Sequence, residues 1–276
     1  MNSDTQSDSP LSKDRNKAVS LTTDARGVAT VTLLRAEKHN AFDDLMIAEL
    51  LQLLDKVKSD ENCRVLVLRA AGKSFSAGAD LNWMRRMADY DQEQNLSDAR
   101  ELANLMKTLN RLTIPTIALV QGASFGGGVG LVACCDIAIA SDNAIFCLSE
   151  VRLGLIPAVI SPYVIAAIGE RQARRYFLTA EKFCASKALS LGLVHKVVDA
   201  KSLDIQLGKM IEEILPGGPQ AQKAAKELIF RVNRSEPNDD LIEETVKGIA
   251  AIRATDEARQ GLSAFLEKRR PKWVQG

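Results

Sequence analysis

The sequence has 276 residues, 46% hydrophobic and 26% charged, enough to bury the core of one large domain or of one domain with a helical appendage. Its 36 basic and 35 acidic side chains leave a formal charge of +1, which gives no support to a nucleic-acid or membrane surface. Five cysteines without a CxxC spacing and two histidines, His39 and His195, supply no zinc pattern and argue against a histidine-based triad, and no apolar stretch reaches membrane-spanning length.

Residues 1–17 are polar and mixed in charge, a tail expected to be disordered and lacking the apolar run of a signal peptide. A reducing cytoplasmic setting is therefore expected. Residues 19–23 and 28–34 read as two strands around the turn Asp24-Ala25-Arg26-Gly27. Asn40 to Phe42 lead into a helix with Ile47, Leu50, Leu51, Leu54 and Val57 on one face. Residues 65–68 form an apolar strand expected to be buried on both sides, followed by the loop GKSFSAGAD over residues 72–80.

Between Leu81 and Arg111 a polar segment precedes a helix carrying Leu102, Leu105, Met106, Leu109 and Leu112, which Pro115 ends. A strand over residues 116–120 runs into Gly126-Gly127-Gly128, then a short apolar helix, a second apolar segment and Glu150. A helix is expected from about Ser161 and a short strand over residues 194–198. From Ser202 the pattern is helical, broken at Pro216 to Pro219 and near Pro237, and the last helix carries Leu262, Phe265 and Leu266. Alternating strands and helices with buried strands imply an α/β core with right-handed crossovers. Its boundaries are expected at residues 18–200, with a helical region over 201–276.

Three glycines between a strand and a helix let the backbone approach a ligand closely. The helix beginning there presents unpaired N–H groups and the positive end of its dipole. A lone GGG is equally what a close helix–strand contact needs. A second junction of the same character, Ser76-Ala77-Gly78-Ala79-Asp80-Leu81, alters that reading. Two such junctions can aim one N–H each at a common point, and a thioester enolate needs two donors about 2.7–3.1 Å from its oxygen.

The motifs RAEKHNAF, FSAGADL, IPTIALVQGASFGGG, CCDIAIA, SEVRLGLIP, ALSLGLVHKVV and GLSAFLEKRRP occur in this order. With them the chain resembles the enoyl-CoA hydratase/isomerase (crotonase) superfamily from about Ala18 to Trp273. The resemblance implies a spiral of ββα repeats with a C-terminal helical trimerisation region, assembled as a homotrimer or a dimer of trimers. It implies oxyanion donors at the N–H groups of Ala79 and Gly127, and a catalytic carboxylate at Glu150. It places coenzyme A along Ala77, Gly78, Ala79, Asp80 and Leu81, with Lys38 near its nucleotide. Phe265 and Lys268 would touch the coenzyme A of a neighbouring subunit. Lys38 and Lys268 read equally well as solvated charges. No metal or separate cofactor is implied, since coenzyme A arrives as part of the thioester substrate.

The chain departs from the family pattern at Gly130, where relatives carry a first glutamate; the second matches Glu150. PAVISPYV also replaces a glycine-rich run, so Pro157 to Tyr163 would shape the acyl pocket differently. Tyr163 would either hydrogen-bond there or sit in the core. GGGVGLVACCDIAIA, FCLSEVRLGLIPAVISPYV and GERQARRYFLTAEKF are similar to bacterial methylglutaconyl-CoA hydratases, with isohexenylglutaconyl-CoA hydratases as cousins. A substrate with its own carboxylate would tolerate Gly130, because removing a charge about 4 Å away relieves about 4 kcal/mol of repulsion at a dielectric of about 20, and because space is freed. The implied activity is hydration of 3-methylglutaconyl-CoA. A Δ3,Δ2-enoyl-CoA isomerase using Glu150 alone is the alternative, and RNA binding is unpromising at this charge.

Overall fold

A computed structural model describes residues 17–233 and 235–274. The expectation for the first sixteen residues falls outside them. Among the described residues the main sheet has six strands. It opens with an antiparallel hairpin of β1 (Val19–Thr23) and β2 (Val28–Leu33). The turn is held by the Asp24 carboxylate, which accepts from the N–H groups of Arg26 and Val28. From β2 on, β3 (Val65–Ala70), β4 (Thr116–Val120), β6 (Ile137–Ser141) and β9 (Lys196–Val198) join in parallel.

The parallel strands are apolar on both faces because both are covered. Val65, Val67, Ile117, Leu119 and Ile139 pack against Leu203, Leu207, Ile211 and Ile214 of helix α8 (Leu203–Ile214). The alternate residues Leu66, Leu68, Ala118, Val120, Ala138 and Ala140 join the larger core. That core is completed by α1 (Asp44–Ser59), α3 (Gln92–Asn110) and α4 (Gly127–Cys134). Helix α1 buries Ile47, Leu50, Leu54 and Val57 as its periodicity predicts; Leu51 is only half-buried.

Between α1 and α3 the chain forms a second short helix, α2 (Leu81–Met87), where the sequence suggested only a polar segment. Beyond Glu150 the helix expected from Ser161 is two, α5 (Ser161–Ile168) and α6 (Glu170–Thr179). Gly169 divides them with φ +76°, a conformation that other residues rarely adopt. Helix α7 (Ala185–Leu191) leads to β9.

A second, smaller sheet accompanies the main one, its strands too short to be read from residue periodicity. It consists of β5 (Ala123–Phe125), β7 (Ile145–Cys147) and β8 (Phe183–Cys184), with an isolated parallel bridge from Ser76 to Ser124 at its other side. Each turn of the spiral thus lays one strand in the main sheet and the next in the small one. β4 is followed by β5 and α4; β6 is followed by β7 and the helices after it.

After α8 the chain continues as α9 (Pro219–Val232), α10 (Asp239–Arg253) and α11 (Asp256–Leu266). Lys226 of α9 is buried; its ammonium donates to the Ile114 carbonyl at 3.1 Å and pairs with Asp136 at 2.6 Å. Helix α10 buries no side chain, and Ile242, Val246 and Ile249 on it are each about half exposed.

Candidate active site

The register of the small sheet assembles the site. Ser76 pairs with Ser124, and Ser124 with Phe146, all in parallel. Counting on from these aligned residues, Ala79 and Gly127 are each three positions further, and Glu150 is four positions beyond Phe146. Adjacent strands lie about 4.8 Å apart. Equivalent N–H groups on neighbouring turns are therefore about that far apart, and an oxygen about 2.9 Å from each fits between them.

The direction of the first donor follows from the bridge between Phe42 and Ala79. Phe42 N–H donates to the Gly78 carbonyl at 2.7 Å, and Asp80 N–H donates to the Phe42 carbonyl at 2.6 Å. In extended chain successive amides alternate sides, so the Ala79 N–H points away from Phe42. The second donor begins α4. Neither Ala79 N–H nor Gly127 N–H donates to a protein acceptor among the described residues. Both residues are half-buried between fully buried neighbours, Gly78 and Asp80, Gly126 and Gly128.

Close approach of the two loops depends on glycine. Gly78 has φ +91°, and a side chain there would start 3.2 Å from the Phe125 carbonyl oxygen. A side chain at Gly128 would meet the Ser76 carbonyl at 2.8 Å. Gly126 has φ +50°, and its missing Cβ leaves room for Glu150, whose Oε1 would lie 3.1 Å from that atom.

Glu150 therefore sits beside the turn that begins α4. Its Oε2 is buried with no hydrogen-bond partner. Burial pushes its pKa above the ordinary carboxylate value, only partly offset by its own backbone N–H. A half-buried carboxylate with an unpaired oxygen and a raised pKa is poised to take a proton from a ligand.

Gly130 lies one helical turn after Gly126, on the same face of α4. The position is filled. A Cβ on Gly130 would fall 2.2 Å from Ile160 Cγ2 and 3.2 Å from Met106 Cε. The freed space expected there is taken by Ile160, itself 3% exposed. The packing over Gly130 is apolar, and sequence reasoning overlooked Ile160. Its only signal was the PAVIS segment that replaces the glycine-rich run.

The other predicted residues are distributed as follows. Ala77 and Ala79 are half-buried, Gly78 is buried and Leu81 is exposed. Asp80 is buried and caps α2, accepting from the N–H groups of Asn82 and Trp83. It also pairs with Arg35 at 3.0 Å and Lys38 at 3.2 Å. Burial pushes the Asp80 pKa up, but hydrogen bonds from Asn82, Lys38 and Trp83, with the Lys38 charge, together hold it below the ordinary value. Lys38 thus reaches the site through Asp80. Phe265 and Lys268, on and just beyond α11, are exposed; α11 packs against α9 and α10. Tyr163 packs on the core and lines a separate cleft of about 510 Å³ with Arg111 and His195. Among the described residues no three His, Cys, Asp or Glu side chains gather as a metal site would need.

A sequence model of the enoyl-CoA hydratase/isomerase family matches residues 23–276. The chain is 34% identical to the trans-2-decenoyl-acyl-carrier-protein isomerase of Streptococcus mutans, over 90% of this chain and 95% of that protein. It is 32% identical to the hydroxycinnamoyl-CoA hydratase-lyase of Pseudomonas fluorescens, over 87% of this chain and 89% of that one. The crystal structure of an enoyl-CoA hydratase from Shewanella pealeana superposes with a TM-score of 0.91 at 50% identity, covering 94% of this chain and 97% of that chain.

Proposed function

The chain belongs to the enoyl-CoA hydratase/isomerase family, and we propose from that premise that it adds water across the 2,3 double bond of 3-methylglutaconyl-CoA, giving 3-hydroxy-3-methylglutaryl-CoA in leucine degradation. The observation that carries the reading is Glu150, a half-buried carboxylate whose buried Oε2 has no partner, beside Gly126 and the start of α4.

The thioester oxygen would lie between those two N–H groups. Glu150 takes a proton from water as the hydroxyl oxygen bonds to C3. The electron pair of the double bond moves onto the thioester, forming an enolate that the two N–H groups stabilise. The proton on Glu150 then passes to C2, so that H and OH have been added and Glu150 is again ionised. No separate cofactor takes part, since coenzyme A enters with the substrate. Ala77, Gly78, Asp80, Leu81 and Lys38 would line its path, with Phe265 and Lys268 completing it from a neighbouring subunit of a homotrimer or dimer of trimers, in the cytoplasm.

A dicarboxylic acyl group calls for a cation. The thiol of Cys147, which burial pushes up, feels the positive charges of Arg152 and Lys182 as well as the negative charge of Glu150. The Lys182 ammonium lies 5.5 Å from the centre of the Phe125 ring, at the end of β5. Arg152 is in no ion pair among the described residues. Within reach of the acyl chain, these two charges would favour a glutaconyl-type chain, isohexenylglutaconyl-CoA included, over a plain enoyl chain.

A second reading, Δ3,Δ2-enoyl-CoA isomerisation, is favoured by Gly130 and Ile160, which put no carboxylate where the family's first glutamate would stand. Steady-state turnover of 3-methylglutaconyl-CoA, crotonyl-CoA and a 3-enoyl-CoA in oxygen-labelled water separates the two. Hydration puts label into the product and prefers the glutaconyl substrate. Turnover of the 3-enoyl-CoA alone, without label, would make the protein an isomerase.

A further inference from the structure

One residue touches both halves of the proposed oxyanion site. Phe42 is 2% exposed and lies in the extended segment between the turn at His39 and Asn40 and the start of α1. Its backbone makes both bonds of the bridge to Ala79, which turns the Ala79 N–H away from it. Its ring meets the other donor residue. A Cβ on Gly127 would lie 3.0 Å from Phe42 Cε2 and 3.2 Å from Cδ2, so the ring edge abuts the first residue of α4.

We propose that Phe42 is a positioning residue that sets the separation and direction of the Ala79 and Gly127 N–H groups: its backbone fixes the first and its ring fixes the second. The inference rests on the reading of those two groups as oxyanion donors.

The residues around Phe42 are braced in a way that suits this role. Arg35 donates to the Ala41 carbonyl at 3.3 Å and pairs with Asp43 at 2.6 Å and Asp80 at 3.0 Å. Asp43 caps α1 and Asp80 caps α2. One guanidinium therefore holds both helix starts that flank the bridge, and both carboxylates are largely buried. Asn40, fully buried, donates to the carbonyls of Ala71 and Ser74, which fixes the entry of the 72–80 loop. With the backbone anchored on three sides, the ring is the movable contact to α4. Trimming it leaves the Ala79 side in place and lets the start of α4 shift toward the gap. The two donors then no longer converge on one oxygen.

The test compares Phe42→Leu, Phe42→Val and Phe42→Ala with the wild type. Two readouts are taken. The first is kcat and KM for 3-methylglutaconyl-CoA. The second is the infrared carbonyl frequency of bound butyryl-CoA carrying carbon-13 at the thioester carbonyl, which has no double bond to react. The expected result is a graded loss of kcat, about 10-fold to 100-fold by Phe42→Ala, with KM within about threefold. The red shift of the bound carbonyl should shrink in the same order, and Phe42→Leu should keep most of both. If Phe42→Ala does not fold, the Leu and Val variants carry the comparison. Loss of kcat with an undiminished carbonyl shift would overturn the positioning role, as would an unchanged kcat. Absence of any red shift in the wild type would instead sink the oxyanion reading itself.

Discussion

Gly130→Glu tests whether the wall beside Glu150 is closed. The new Cβ would fall 2.2 Å from Ile160 Cγ2 and 2.9 Å from Ile160 Cβ, with Met106 Cε at 3.2 Å. Neither neighbour is on the surface; Ile160 and Met106 are 3% and 0% exposed. Forcing extra atoms into a filled core costs about 1–3 kcal/mol. The added carboxylate would lie roughly one helical turn from Glu150, about 6 Å. At an effective dielectric of about 20, two charges at that distance repel by about 3 kcal/mol unless one takes up a proton. A loss of roughly 5 kcal/mol follows, or about 10–20 °C in Tm for a chain of this size. Ile160→Gly alone should cost about 2–5 kcal/mol through the cavity it leaves. Combined in one chain, the changes relieve each other, and the double variant should be at least about 2 kcal/mol more stable than the sum of the singles predicts. Denaturant unfolding of the four proteins measures the cycle. A Gly130→Glu protein as stable as the wild type, or strictly additive losses, would refute the packing of Ile160 over Gly130.

Glu150→Gln should lower kcat by about 10²–10⁴-fold while still binding acyl-CoA, measured by steady-state kinetics and calorimetry. Because burial raises the Glu150 pKa, wild-type kcat/KM should fall on the acid side below a pKa higher than 4.5, and that limb should vanish in Glu150→Gln. The same sign governs stability. The wild type should give up stability as pH rises through the raised folded-state pKa, and Glu150→Gln should not. Arg152→Ala should raise KM for 3-methylglutaconyl-CoA about 10-fold and leave crotonyl-CoA within about twofold; an equal rise for both would remove Arg152 from acyl recognition. Val246→Asp, on the half-exposed Ile242–Val246–Ile249 face of α10, should break the proposed trimer at micromolar concentration in light scattering; a trimer that survives would move the interface elsewhere.

Much of the main sheet could be read from sequence because burial on two faces writes itself as unbroken apolar runs. Residues 65–68 and 116–120 are such runs, and both are central strands. The face of α1 was equally plain, since Ile47, Leu50, Leu54 and Val57 recur at helical spacing. The small sheet was hidden because β5 and β7 are three residues long and β8 is two, too short for a period of two to repeat. The loop chemistry was visible in its glycines, whereas the fit of a side chain against a glycine was not. Nothing in the sequence couples Ile160 to Gly130, or Phe42 to Gly127, because each pair meets across different elements.

That hidden sheet explains how two distant glycine-rich junctions and one glutamate come together. Ser76, Ser124 and Phe146 are one row of a parallel ladder, and such a ladder has a fixed register. Whatever follows the row at equal count emerges side by side on adjacent turns. Ala79 and Gly127 share the same count, so their N–H groups are equivalent positions one strand apart. Glu150 is one residue further along, after the chain has begun a 3₁₀ turn that brings its side chain back against Gly126. A single-residue slip between Ser76 and Ala79, or between Ser124 and Gly127, would misalign the two N–H groups. The site is thus specified less by the identity of Ala79 and Gly127, whose side chains offer no polar group, than by the number of residues between each of them and its strand. That count also limits where the proposed substrate preference can change: the proposed donors follow the ladder, while Ile160 and Arg152 lie outside its strands.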